Sequence, residues 1–289
     1  MKKNLILMAA AGLAVFMITA CSSNQSSTQS QPSDTKSEMQ SGASDSKNTA
    51  DDKSDAKGDT SDAGSLQTVK KGKLIMATNA EFPPYEFHEG DDIVGIDAEI
   101  AGEIAKKLGL ELEIEDVAFS AVIPEVISGK ADMVMAGMSV TEERKQNVDF
   151  SKTYADTVQV IIVKDNSDIA KPEHLEKKTI GVQEGTTGAI LAEDVKDANI
   201  ESYNKGVDAV QSLIQNKVDA VIIDEETAKA LIKDTSGIKI LDTAFAKEEY
   251  AIAVKKGNKE LLTQIDKALA ELESEGKIKE IVKKYIKAE

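Results

Sequence analysis

Near-continuous apolar runs of strand length alternate with helix-period stripes along most of the chain, and this alternation restricts the fold more than any other feature. Lys73–Thr78 reads Lys-Leu-Ile-Met-Ala-Thr, apolar on successive residues as a strand covered on both faces must be. Over residues 97–108, Ile100, Ile104 and Leu108 recur every four positions with Ala101 and Ala105 beside them, one apolar stripe along a helix. Asp97 stands where an N-cap carboxylate would accept the first free N–H groups. Strand patterns return at 110–117 and 132–136, with a helical pattern at 121–128 between them. Strands alternating with helices build βαβ units and mainly parallel sheets, so an α/β fold is expected.

Part of this order occurs twice. Gly129-Lys130-Ala131-Asp132-Met133-Val134-Met135 parallels Asn216-Lys217-Val218-Asp219-Ala220-Val221-Ile222, and each follows an apolar helical pattern ending in Val126-Ile127 or Leu213-Ile214. Upstream in each half a strand opens with Lys73-Leu74-Ile75-Met76-Ala77 or Lys178-Thr179-Ile180-Gly181-Val182. Short buried strands look alike by chance, but here their order is kept too, which predicts two similar lobes and not one long sheet. Strand patterns at 157–164 and 250–254 would carry the chain out and back as a hinge. The expected division is lobe 1 over 67–161, lobe 2 over 162–247, and a return to lobe 1 over 248–289. That return contains helical patterns at 260–275 and 278–285, with Gly276 as the terminator between them. Ligands of open α/β sheets bind outside the carboxyl ends of the strands, so the cleft between the lobes is the expected site.

The first residues bear on location. Lys2 and Lys3 precede an apolar stretch at 5–17, and Ile18-Thr19-Ala20-Cys21 ends it. This charged, apolar, small-residue order predicts a secretory signal peptide over 1–20. Its last four residues resemble the lipobox of bacterial lipoproteins, which implies a lipid on Cys21. Cys21 is the single cysteine, so neither an intrachain disulfide nor a cysteine metal cluster can form. Residues 21–66 are rich in Ser, Asp, Lys, Gly, Thr and Gln. Such a segment buries too little apolar surface to offset its ordering entropy and is expected to be a disordered tether. Lipid and tether together describe a protein anchored to a membrane, not spanning it. No second apolar run long enough to cross a bilayer follows, which argues against a sensor kinase or channel. A net charge of −16 argues against nucleic acid as a partner.

Several short motifs fall in order along the same stretch. They are Phe82-Pro83-Pro84-Tyr85-Glu86-Phe87, Gly95-Ile96-Asp97-Ala98-Glu99-Ile100, Phe119-Ser120-Ala121-Val122-Ile123-Pro124 and Ala136-Gly137-Met138-Ser139-Val140-Thr141-Glu142-Glu143-Arg144. Gly185-Thr186-Thr187 and Val218-Asp219-Ala220-Val221-Ile222-Ile223-Asp224 complete the set. Together they resemble the polar amino-acid class of bacterial solute-binding proteins, the extracellular family 3 type, here in lipoprotein form. Ala98 departs from the pattern, where a larger apolar residue is usual. The resemblance implies a two-lobed periplasmic-binding-protein type fold, each lobe a mainly parallel sheet flanked by helices, joined by two hinge strands. It also implies a monomer on the extracytoplasmic face of the cell membrane that passes an amino acid to the membrane subunits of an ABC importer, without cofactor or metal.

An α-carboxylate asks for a fork of donors, and arginine offers a bidentate pair. Arg144 is the candidate; after Glu142-Glu143 it would otherwise read as a solvated helix charge. The resemblance assigns it the α-carboxylate, with further donors from backbone N–H groups near Gly137 and the Ser139 hydroxyl. Thr187 would add one from the opposite lobe, where it opens a helix, although Gly185-Thr186-Thr187 is equally a plain capped turn. Asp224 ends a strand and reads first as a helix N-cap; the resemblance pairs it with the α-ammonium, and both roles are compatible. Phe82 and Phe119 match positions that stack on the ligand, against a generic reading as core. Asn79 and Gln183 match positions facing its side chain. Neither is cationic, which disfavours Glu or Asp and favours Arg, Lys, His, Gln or a cystine-like ligand. Glu81 and Glu184 would add negative potential, unless they are simply exposed loop charges.

A secreted dehydratase-like enzyme on the same scaffold is the main alternative, and it would need an acid or base in the cleft. His88 and His174 fall away from the matched positions, no nucleophile–base pair or metal spacing emerges, and Glu86 matches a structural position. A ligand-sensing or adhesive surface protein would use the same fold and site.

Overall fold

Two strands carry the chain between two packed lobes in the computed structural model, which describes residues 66–286. The expected signal peptide, Cys21 and the tether up to residue 65 lie outside the described residues. Lobe 1 begins with β1 (Lys73–Thr78), β2 (Glu81–Phe82), β3 (Glu86–Glu89) and β4 (Asp92–Val94). It continues through α1 (Ile96–Leu108), β5 (Glu111–Asp116), α2 (Phe119–Ser128), β6 (Met133–Val134) and α3 (Glu142–Asn147). The long β7 (Val148–Lys164) crosses to lobe 2, built from β8 (Thr179–Gln183), α4 (Thr187–Glu193), β9 (Asn199–Tyr203), α5 (Gly206–Ile214), β10 (Ala220–Asp224), α6 (Glu225–Ile232) and β11 (Ile238–Ile240). β12 (Ala246–Lys255) returns to α7 (Lys259–Ser274) and α8 (Lys277–Tyr285).

β5, β1 and β6 lie parallel in lobe 1, as do β9, β8 and β10 in lobe 2. Between them run β12 and β7, antiparallel to each other and to their outer neighbours. With β11 also paired to β7, one nine-stranded hydrogen-bonded sheet passes through both lobes, where separate sheets were expected. The reason lies in the crossing strands. Buried backbone groups must find partners, and β7 and β12 satisfy each other from Val148–Lys255 to Gln159–Ala246. Two register shifts, beside Tyr250 and before Ala253, break the regular ladder where β12 passes the cleft.

Although the sheet is continuous, the cores are separate. In lobe 1, Leu74 and Met76 pack with Ile100, Ile104, Leu261 and Ile265 on one face, while Ile75 and Ala77 pack with Val122 and Val126 on the other. In lobe 2, Val160 and Ile162 of β7 face Leu213 and Val221, and Ile161 and Val163 face Ile180 and Val182. Alternate residues of β7 thus enter opposite cores, which is why its sequence is apolar at every position there.

The sequence repeat is a structural device. α2 ends at Gly129 and α5 is followed by Asn216, both left-handed with φ of 75° and 60°, the conformation that ends helices. Three residues later comes an aspartate. Asp132 accepts the N–H groups of Ile75 at 2.8 Å and Val69 at 2.7 Å; Asp219 accepts that of Thr179 at 2.8 Å. Each carboxylate stitches the incoming strand to the first strand of its lobe.

Asp97 is not the N-cap of α1. Gly95 holds that place, with φ of 130° and so little room that a Cβ would lie 2.1 Å from the Tyr85 carbonyl oxygen. Asp97 is wholly buried instead, and its carboxylate accepts the Gly137 N–H and the Tyr154 hydroxyl, each at 2.8 Å.

Candidate functional site

The carboxyl ends of the strands converge on one cavity, and all nine residues singled out from sequence line it. From lobe 1 come Asn79 just after β1, Phe82 on β2, Phe119 at the start of α2, Gly137 and Ser139 after β6, and Arg144 on α3. Lobe 2 supplies Gln183 at the end of β8, Thr187 at the start of α4 and Asp224 at the end of β10. The lobes are closed on each other: the cavity leaves about 20 Å³ for the centre of a water molecule, room for about one water. A free amino acid enters only when the lobes part.

Arg144 is 7% exposed. Thr141 caps α3 by accepting the Arg144 N–H at 3.1 Å, which fixes the start of the helix that carries the side chain. The guanidinium donates to the carbonyl oxygens of Ser139 at 2.7 Å and Gly185 at 3.0 Å, one from each lobe. Its central carbon lies 5.5 Å from the centre of the Phe119 ring. Its donors thus end on backbone carbonyls and an aromatic face, not on a carboxylate. Burial pulls its pKa down, and the charge of Glu248 opposes that shift.

Asp224 is 1% exposed. One oxygen caps α6 through the N–H groups of Glu226 and Thr227, at 3.0 and 3.3 Å. The other accepts from the Thr157 hydroxyl and from the Tyr250 hydroxyl, the latter at 2.9 Å. Burial raises its pKa to about 6 in spite of these bonds. The cap and the cavity wall are therefore the same carboxylate, and its partners are neutral. Arg144 and Asp224 are two buried opposite charges on one cavity, each held by groups other than a counter-ion.

Across the cleft Gln183 Nε2 donates to Asn79 Oδ1 at 2.8 Å and to the Asn204 carbonyl at 3.1 Å, while Asn79 Nδ2 donates to the Val117 carbonyl at 2.9 Å. Phe82 stacks on Tyr85 with ring centres 5.8 Å apart and packs against the cores of both lobes. Gly137 has a left-handed φ of 52°, and a Cβ there would lie 2.8 Å from the Phe82 ring. Its N–H is given to Asp97, so this donor, expected from sequence for a ligand carboxylate, is already committed. Glu81 is paired with Lys205 at 2.5 Å and Glu184 is exposed. Neither lines the cavity, and the negative potential expected from Glu81 is offset by its lysine. His88 pairs with Asp116 at 2.9 Å, and His174 is on an exposed turn.

Sequence reasoning missed Gln159, Tyr250 and Glu248, all on the hinge strands. Gln159 and Tyr250 line the cavity, and Glu248 accepts from Ser139 and Thr187. A signal existed for the first: Thr157 and Gln159 are polar within the otherwise apolar run at 157–163, and buried polar strand residues need partners. Behind the cavity Glu86 is fully buried, and among the described residues neither of its oxygens has a hydrogen-bond partner. Burial, then the charge of Asp97, push it well above the usual carboxylate range, and burial raises Asp97 to about 6. Among the described residues no cluster of His, Cys, Asp or Glu is placed to hold a metal, and no helix is long and apolar enough to cross a membrane.

Residues 74–288 match the family described as bacterial extracellular solute-binding proteins, family 3. The arginine-binding extracellular protein ArtP of Bacillus subtilis is 33% identical over the full length of both chains. The ABC transporter glutamine-binding protein GlnH of the same organism is 33% identical over 68% of this chain and 74% of its own. Among solved structures, the amino acid ABC transporter substrate-binding protein AbpA of Streptococcus pneumoniae bound to L-arginine superposes with a TM-score of 0.71. It is 34% identical and covers 74% of this chain and 94% of its own.

Proposed function

The chain belongs to the bacterial extracellular solute-binding proteins of family 3, and we propose that it closes its lobes around a free polar amino acid and delivers it to an ABC importer. The observation that carries this reading is the pair of buried, separated charges on one cavity. Arg144 suits an α-carboxylate and Asp224 an α-ammonium, a mould for the zwitterion common to all amino acids. Phe82 and Phe119 would flank the ligand, and Asn79 and Gln183 would meet its side chain once the lobes part. Among the described residues Arg144 is the one cation lining the cavity, so a second carboxylate would be buried without a partner. Cationic or neutral polar side chains are favoured over acidic ones, arginine first, as two of the relatives are named for or bound to it. The protein acts by binding, not catalysis, and Cys21 carries a lipid that keeps it at the extracytoplasmic face.

Calorimetric titration of the full chain with each standard amino acid, cystine and ornithine tests the reading. Saturable binding of arginine or another cationic or neutral polar amino acid, with glutamate and aspartate weak, is the expected result. Absence of binding to any of them overturns it. Replacing Cys21 by Ser should release the protein from cells; retention at the membrane would show that the anchor lies elsewhere.

A further inference from the structure

Three donors converge on a single oxygen of Glu248. Its Oε2 accepts from Ser139 Oγ at 2.7 Å, Thr187 Oγ1 at 2.8 Å and Gln159 Nε2 at 3.1 Å. Ser139 belongs to lobe 1, Thr187 to lobe 2, Gln159 to β7 and Glu248 to β12. One carboxylate thus ties both lobes to both hinge strands.

A hydroxyl carries one proton. Ser139 and Thr187 each direct theirs at Glu248, which leaves them acceptors only. Arg144 is engaged as well, through the Ser139 and Gly185 carbonyls. The side-chain donors suited to an α-carboxylate are therefore already taken by the protein, and a carboxylate of its own holds two of them. A second carboxylate cannot share those two protons, and like charges at that range repel. Glu248 is half-buried and stands on a strand joining the lobes, so it can withdraw without breaking either core.

Resting on the amino-acid reading above, we infer that Glu248 is an internal stand-in for the ligand carboxylate. It clasps the lobes over Ser139 and Thr187 while the cleft is unliganded, and an incoming amino acid takes those hydroxyls from it. The clasp stabilises the ligand-free closed form alone, so it lowers ligand affinity by the same factor.

The test compares the full chain with its Glu248→Ala variant, each carrying Cys21→Ser and spin labels at Ile127→Cys and Glu193→Cys, exposed positions on the two lobes. Without ligand, the interlobe distance distribution of the parent should be dominated by the short, closed population. Glu248→Ala should shift it to longer distances, and saturating arginine should restore it. By calorimetry, arginine affinity should rise at least about threefold. An unchanged ligand-free distribution in Glu248→Ala, or a fall in arginine affinity, overturns the inference. Glu248→Gln, which keeps one acceptor oxygen but not the charge, should fall between the two and decides the matter if the alanine variant folds poorly. If the parent binds no amino acid, the functional reading fails while the ligand-free distances still decide whether the clasp exists.

Discussion

Strand β6 in lobe 1 and strand β10 in lobe 2 follow the same left-handed turn and the same Lys-x-Asp, yet they reach the cavity with opposite chemistry. In the repeat alignment Gly137 falls opposite Asp224. Lobe 1 places, three residues past the end of β6, a glycine that lets the Phe82 ring close on the backbone, and it brings its charge later, on Arg144 of α3. Lobe 2 ends the equivalent strand in the charge itself. One repeated scaffold thus carries a polar cleft, cationic on one wall and anionic on the other, while the stitched strands beneath keep one plan. The largest effects should come from removing either charge. Arg144→Ala should weaken every amino acid by about 2–5 kcal/mol and abolish discrimination against the corresponding amine without a carboxylate. Asp224→Asn, which retains a good cap for α6, should cost a similar amount but abolish discrimination against the acid without an amino group. If calorimetry found the same ligand pattern lost in both, the two walls would not be reading opposite ends of one molecule.

The glycine side of the comparison can be broken by adding one carbon. Gly137→Ala places a methyl 2.8 Å from the Phe82 ring at a backbone φ of 52°. Overpacking costs about 1–3 kcal/mol, and the left-handed backbone adds to it. Urea unfolding should show a loss of about 2–4 kcal/mol, together with a displaced Phe82 ring. An unperturbed midpoint would mean that the ring is free to move and that the glycine is not what sets its place.

How much of this was legible beforehand follows the same division. The α/β alternation and the doubled order were readable because both are local: apolar runs, a turn residue, an aspartate three positions on. The nine chosen residues reached one cavity because seven sit in the ordered motifs and the other two, Asn79 and Gln183, sit at the ends of β1 and β8. What failed was non-local. Whether β7 and β12 pair into a continuous sheet depends on a register between residues about a hundred positions apart, which no periodicity displays. Glu248 and Tyr250 were invisible for that reason, since their partners Ser139, Thr187 and Asp224 come from other elements. Asp97 misled because an aspartate beside a helix start looks like a cap until burial takes its carboxylate inward, to Gly137 and Tyr154.

A pH titration sharpens the contrast between the walls, since only the anionic one titrates in the accessible range. Burial raises Asp224 to about 6, and an ammonium partner requires the ionised form. Affinity should fall about tenfold per pH unit below about 6, and Asp224→Asn should flatten the profile. Stability should move the other way. Asp224 and Asp97 both have folded values near 6, above the ordinary aspartate value of 3.8. Their stabilising contribution is therefore fully present below about 3.8 and is lost as pH rises through about 6. Affinity and stability falling together on acidification would show that some other group governs binding.

The smallest expected difference lies in the part of the plan the lobes share. Asp132 is 5% exposed and accepts two backbone N–H groups, whereas Asp219 is exposed and accepts one. Removing the first leaves buried donors unpaired, which costs about 1–3 kcal/mol. Removing the second lets water take its place, and about 0.5–1 kcal/mol is the expected loss. Asp132→Ala and Asp219→Ala measured side by side in urea should therefore differ by about 1–2 kcal/mol, with ligand affinity nearly unchanged in both because neither lines the cavity. Equal losses would mean that burial does not separate the two stitches; a loss of affinity in either would mean that the strand tips depend on the stitch beneath them, so that scaffold and site are one mechanical unit.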